Sequence, residues 1–219
     1  AGAALTASGQ SKLNFAGTVV TSIYRSEAAA RMGDHTDAAA YDSIGVVADG
    51  ESLAVVGAGA VTATGSAQAS IGASVGTLLV ENAVEATVGK NGSLTAYALS
   101  DAVNAGIQTA NRAERRRGVV IHAFSSERLY LAAVGGSVAG SGVATGTGVV
   151  DTLIVRNRVI AQVGENTAVS AGVSAAEGTD ADGDGSADDS DGEGEIAVEA
   201  DGETLAVNFG GALSASGGR

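Results

Sequence analysis

Two stretches of the chain share one alternation. In TLLVENAVEATVGKNGSLTA, residues 77–96, Leu78, Val80, Asn82, Val84, Ala86 and Val88 fall at every second position. In TLIVRNRVIAQVGENTAVSA, residues 152–171, the same six residue types recur as Leu153, Val155, Asn157, Val159, Ala161 and Val163. The residues between them change: Glu81 against Arg156, Ala83 against Arg158, Glu85 against Ile160. Period two is the mark of a β-strand with one buried face, whereas a helix would space the shared residues by three and four. The shared face is expected inside and the varied face in water. Asn82 and Asn157 fall on the inner face, where a buried amide needs partners. Equivalent Asn residues on stacked layers could supply them as a ladder, and a corner with backbone partners would serve as well. Further strand patterns cover residues 15–24, 53–63, 119–124, 129–134, 196–200 and 205–209.

The alternation belongs to a longer repeat. IGVVADGESLAVVGAGAVTATG from Ile44 reappears as IAVEADGETLAVNFGGALSASG from Ile196, with the weaker RLYLAAVGGSVAG near Leu129 between them. Leu53, Leu129 and Leu205 are read as equivalent. A degenerate third copy of the first motif, IYRSEAAARMG, ends at Gly33, and its relatives end at Gly89 and Gly164. The step from Gly33 to Gly89 sets a unit of about 56 residues, lengthened by insertions in two copies. This predicts one repetitive domain of three units, residues 1–56, 57–131 and 132–219, with insertions at 98–117 and 177–195. The chain opens and closes on similar segments, GAALTASG and GGALSASG, as a section of an array or a subunit that continues head to tail would.

Residues 100–117 read differently. Ala102, Val103, Gly106, Ile107, Ala110 and Ala113 recur at three and four, Ser100 or Asp101 could cap the start, and arginines crowd the end. One amphipathic helix is expected there.

Composition narrows the class. Pro, Cys and Trp are absent, and seven residues are Tyr or Phe. The core must then be built from Val, Leu, Ile and Ala, which suits thin stacked layers. The net charge of −13 excludes nucleic acid as an expected partner. Without cysteine there is neither a disulfide framework nor a thiolate metal site. No stretch approaches the roughly 20 apolar residues of a membrane-spanning helix, and the opening decapeptide lacks the pattern of a signal peptide.

The sharpest chemical signal is TDADGDGSADDSDGEGE, residues 179–195. Asp180, Asp182 and Asp184 alternate before Gly185, the core of a calcium loop. Ser186 would offer its carbonyl, Asp188 the ninth position and Asp191 the twelfth. Calcium is the expected cofactor; a solvated acidic insertion is the rival reading. His35 and His122 lack sequence neighbours suited to catalysis, and no nucleophile elbow or Ser–His–Asp pattern occurs. No enzyme is expected. The basic run Arg115–Arg117 is read as a solvated helix end or an ion-pairing partner for acidic repeats.

The segments VVADGESLAVVGAGAVTATG, VVDTLIVRNRVIAQVGENTAVSAG and EIAVEADGETLAVNFGGALSASG resemble repeats of giant bacterial surface proteins, the leukotoxin-type filamentous adhesins. The resemblance implies export, a β-rich elongated rod at the cell surface, and a part in adhesion or surface assembly. It brings no catalytic residues. The combined expectation is an all-β chain, a parallel β-helix or solenoid with one inserted helix, with a long antiparallel β-hairpin sandwich as the alternative. Its expected function is that of a structural or adhesive segment of an extracellular filament. Its expected partners are copies of itself, joined head to tail by strand pairing, and host or surface glycans. A carbohydrate- or ice-binding module, suggested by Thr62 and Thr64, and a polysaccharide-degrading β-helix are the rivals.

Overall fold

The computed structural model describes residues 1–9, 12–65, 69–99, 104–112, 115–141, 144–172 and 194–217. Ten strands follow one another: β1 (Gly2–Ser8), β2 (Leu13–Met32), β3 (Asp37–Ala40), β4 (Ile44–Thr64), β5 (Ala69–Val88), β6 (Ser93–Ala96), β7 (Gly118–Ala139), β8 (Ala144–Val163), β9 (Ala168–Ala171) and β10 (Glu195–Ser216). They form three parallel sheets, in the orders β1-β4-β7-β10, β2-β5-β8 and β3-β6-β9. Each trip through two long strands and one short strand is one coil of a parallel β-solenoid. All pairings between these strands are parallel, which removes the antiparallel hairpin sandwich.

One repeat unit is one coil, where a unit of about 56 residues is expected to make two or three; strands as long as the 20 residues of β2 and the 21 of β4 take up the unit in a single turn. Leu13 pairs with Ala69, 56 residues on, and Ala69 with Ala144, 75 residues on. The opening alternation therefore belongs to two neighbouring strands, with Leu78 against Leu153 and Val88 against Val163. Its inner face is buried as expected: Leu78, Val80, Val84 and Ala86 are inaccessible to solvent. Ser26 takes the Asn82 position in the first coil.

One expected equivalence fails. Leu53 and Leu205 both lie opposite Arg128, so Leu129 is one residue out of their row. A one-residue slip in a strand sends a side chain to the other face. Leu129 is fully buried, while Leu53 and Leu205 are 64% and 51% exposed.

The interior changes along each long strand. Near the short sheet, Val46, Val84, Val88, Leu94, Val119 and Ile121 belong to one apolar cluster. A second cluster holds Val56, Leu78, Val80, Leu129 and Leu131. Between them lies a polar node. Asn82 Nδ2 donates to Ser125 Oγ (2.7 Å) and to Glu127 Oε1 (2.8 Å), and Asn157 Nδ2 to Ser125 Oγ (3.3 Å). Ser125 and Thr204 also donate to Glu127. The two Asn residues thus reach across to the opposite sheet in place of the expected ladder.

Beyond the second cluster the two long sheets are joined by small polar side chains: Thr62 meets Ser70 at 2.7 Å, Ser137 meets Thr147 at 3.1 Å, and Thr18 donates to the Gly59 carbonyl. Thr62 and Thr64 are buried here, so they form no outer binding face. Gly72 permits the approach, since a Cβ there would sit 2.5 Å from the Gly136 oxygen.

An amide ladder does occur, at the corner after each Gly33-type glycine. His35, Asn91 and Asn166 are left-handed, with φ of 57°, 55° and 57°. Asn166 Nδ2 donates to Asn91 Oδ1 at 3.3 Å. Asn and His are among the side chains that tolerate this region best, which gives His35 a structural place.

Candidate functional site

The expected helix is absent from the described part of 98–117. Residues 104–112 and 115–117 form an irregular strap, closed by an antiparallel bridge between Ile107 and Arg116. The spacing by three and four places a glycine at its centre, and Gly106 takes a φ of +85°, which ends helical geometry. The arginines answer carboxylates on the sheet in place of a helix dipole. Arg116 pairs with Glu195 and, at 2.6 Å, with Glu199; Arg112 lies 3.0 Å from Glu199. Asn111 Nδ2 donates to Asp201 Oδ2 at 2.6 Å. Within the Arg115–Arg117 run, Arg116 is thus the ion-pairing partner of the acidic strand β10, Arg115 donates to the Gly106 carbonyl, and Arg117 lies 3.7 Å from Asp42.

Under the strap lies a cluster that sequence order hides. His122 faces outward on β7, fully buried and stacked near Phe124. Its Nε2 is 3.4 Å from Asp201 Oδ2, and its Nδ1 is 3.9 Å from Asp49 Oδ1. Atoms of His122, Glu199 and Asp201 lie within 4.8 Å of one another, so these three could hold a metal. Imidazole with carboxylates suits a zinc-class ion better than calcium, which takes oxygen ligands. Burial raises the Asp49 carboxyl above its ordinary value, partly countered by His122. The Arg116 hydrogen bond, with help from Arg112, holds Glu199 below the usual range. Once the 77-residue step from Gly118 to Glu195 is known, Glu199 falls beside His122; without the register nothing links them.

The outer face of β2, β5 and β8 carries ionic rows. Glu81 lies 2.6 Å from Arg25 and 3.0 Å from Arg156; Glu85 lies 2.8 Å from both Arg31 and Arg158. Both glutamates are held below their ordinary values, first by the hydrogen bond from Arg25 to Glu81 and from Arg31 to Glu85. The positions that vary between copies therefore vary in complement, because in-register like charges would repel. Around Ala83, the side chains of Arg25, Arg156 and Arg158, together with Glu27 and Glu81, line an open hollow of about 460 Å³.

Asp180, Asp182, Asp184, Ser186, Asp188 and Asp191 lie outside the described residues. Among the described residues no strand pairs with the outer edges of β2 and β8. Comparison with protein families, with curated proteins and with solved structures finds no match.

Proposed function

We propose that the chain is a structural and adhesive segment of an extracellular bacterial filament, extended by end-to-end stacking of coils. The carrying observation is the in-register repetition of the inner face: from Leu153 to Val163, β8 presents to the next layer the inward residue types that β5 presents from Leu78 to Val88. A following copy can set its β2 on β8 in the register that β2 takes on β5. The resemblance to giant surface-protein repeats agrees with this use. The hollow around Ala83, with its mixed arginine and glutamate lining, is the candidate contact for host or surface glycans, calcium is proposed as the ligand of the acidic residues in 180–191, and no reaction is assigned to the chain.

Stacking has one structural demand. Gly2 pairs with Ala58, which pairs with Ala133, which pairs with Gly210. β1 and the last seven residues of β10 thus occupy equivalent places. In a stack of this chain β1 gives way, and β4 of the incoming copy pairs with β10 over its full length.

Electron microscopy of the chain with millimolar calcium and with chelator tests the reading. Regular filaments support it, and their loss in chelator, reversed by calcium in the parent but not in the Asp182→Asn, Asp184→Asn variant, assigns calcium to residues 180–191. Compact particles in both conditions overturn it. A flat-face binder of ice or carbohydrate rests on one outward row, Thr21–Thr77–Thr152; ice-recrystallisation assays test that second reading.

A further inference from the structure

The outer face of the β1-β4-β7-β10 sheet is divided along the strands. Toward the short sheet it bears Asp49, Glu51, Asp201 and Glu203, with the strap above. Beyond Leu53 the outward positions of β4, β7 and β10 are aliphatic, aromatic or glycine, apart from Arg128 at the border. Leu53, Val55, Phe209 and Leu213 are between 61% and 70% exposed. The near half of this region, around Leu53 and Val55, lies over the second apolar cluster, but beneath its far half the interior is largely Ser, Thr, Ala and Gly. In that far half larger apolar side chains stand outside and small polar ones inside, the reverse of a sheet that faces water.

We propose that this apolar half-face is an interface between two copies of the chain, related by a two-fold axis parallel to the stacking direction. Ten residue steps at about 3.3 Å and up to four strands at about 4.8 Å give about 600 Å² per copy. Two copies then bury about 1,200 Å², the lower bound of a specific interface, and the patch matches the largest found on typical monomers. The rows are in register, as Val55–Tyr130–Val207 and Leu53–Arg128–Leu205. Gly57, Gly59, Gly136 and Gly211 leave hollows among them for an opposing sheet. Charge fixes the occupant and its orientation. A membrane surface calls for basic flanks, and this face is flanked by acids. Parallel face-to-face packing would oppose the acidic halves, whereas the two-fold sends them to opposite ends.

Sedimentation of the full chain tests the pairing. The expected species has twice the 21.1 kDa mass. Val55→Lys and Leu205→Lys should each weaken association by about tenfold or more. Both side chains point outward, so far-UV circular dichroism should stay unchanged. Ile71→Lys, outward on β5, the central strand of the other long sheet, should associate as the parent does. Since the chain has no cysteine, Ala132→Cys near the proposed axis should be linked into dimers by a short bis-maleimide, and Ser126→Cys should not. The linking reports lateral pairs whether or not coils also stack end to end. A parent chain that stays monomeric, lysine variants that associate like it, or equal linking at both cysteines would overturn the proposal. So would a monomer that floats with phosphatidylcholine vesicles, since the face would then belong to lipid.

Discussion

At the residue scale, the polar node at Asn82 and the corner at His35 are open to direct tests. Glu127 is buried and accepts hydrogen bonds from Asn82, Ser125 and Thr204. Asn82→Ala removes one donor and leaves a carboxylate less satisfied between two apolar clusters. Removing one partner of a buried hydrogen-bonded group costs about 1–3 kcal/mol. Chemical denaturation should show that loss, whereas Ser26→Ala in the end coil should cost less. At the corner, His35 fills the left-handed place held by Asn91 and Asn166. His35→Asn would extend the amide ladder by one layer. A gain of about 0.5–1.5 kcal/mol, the net worth of one hydrogen bond, is expected in thermal unfolding. A loss would mean that His35 has a role outside the corner.

At the scale of the element, the strap is held by charge. Glu199 has its carboxyl lowered by Arg116 and Arg112, and Arg116 is raised by Glu195 and then Glu199. A carboxyl depressed in the folded state stabilises above its unfolded value, about 4.3. That contribution fades as pH falls through the lower folded value. Asp49, raised by burial, runs the other way and is relieved as pH falls. The strap amides of Ile107 and Arg116 should therefore be protected from hydrogen exchange above the carboxylate range and lose protection, relative to the intrinsic rate, as pH drops below about 4. Glu199→Gln should flatten that step and Glu51→Gln should not; an unchanged step in Glu199→Gln would mean that Glu199 is not the clamp.

The same element shows what sequence can carry. The alternation in Leu78–Val88 was legible because shared residues two apart can serve one buried face, and the repeat step was legible from Gly33 and Gly89, but that one step is a single coil was not, because strand length shows only in the pairing. The strap was not, because a spacing of three and four among small residues is weak once Gly106 turns left-handed and Ile107 pairs with Arg116. The site at His122 was hidden for another reason. Its partners lie 73, 77 and 79 residues away, on β4 and β10, and meet it only through register. Leu129 shows how narrow that information is: a one-residue slip separates a core side chain from an exposed one.

At the scale of the molecule, assembly depends on β1 and on charge. β1 covers seven of the 21 residues of β4, so while in place it blocks an incoming β10. Deleting residues 1–9 removes that competitor and leaves an edge that strand addition can use. Filaments, followed by light scattering, should then start sooner and at lower concentration. Charge works against the same step. Stacking β2 on β8 sets Glu27 over Arg158, which attracts, and Arg25 over Arg156, which repels, while the whole chain carries −13. Salt screens exposed charges over about 8–10 Å at physiological strength, so the truncated chain should assemble faster at about 150 mM salt than at about 10 mM. If salt slows assembly instead, the contact is made by opposite charges and lies elsewhere than between β2 and β8. If the deletion leaves the lag unchanged, β1 is no obstacle and the coils do not meet through β4 and β10.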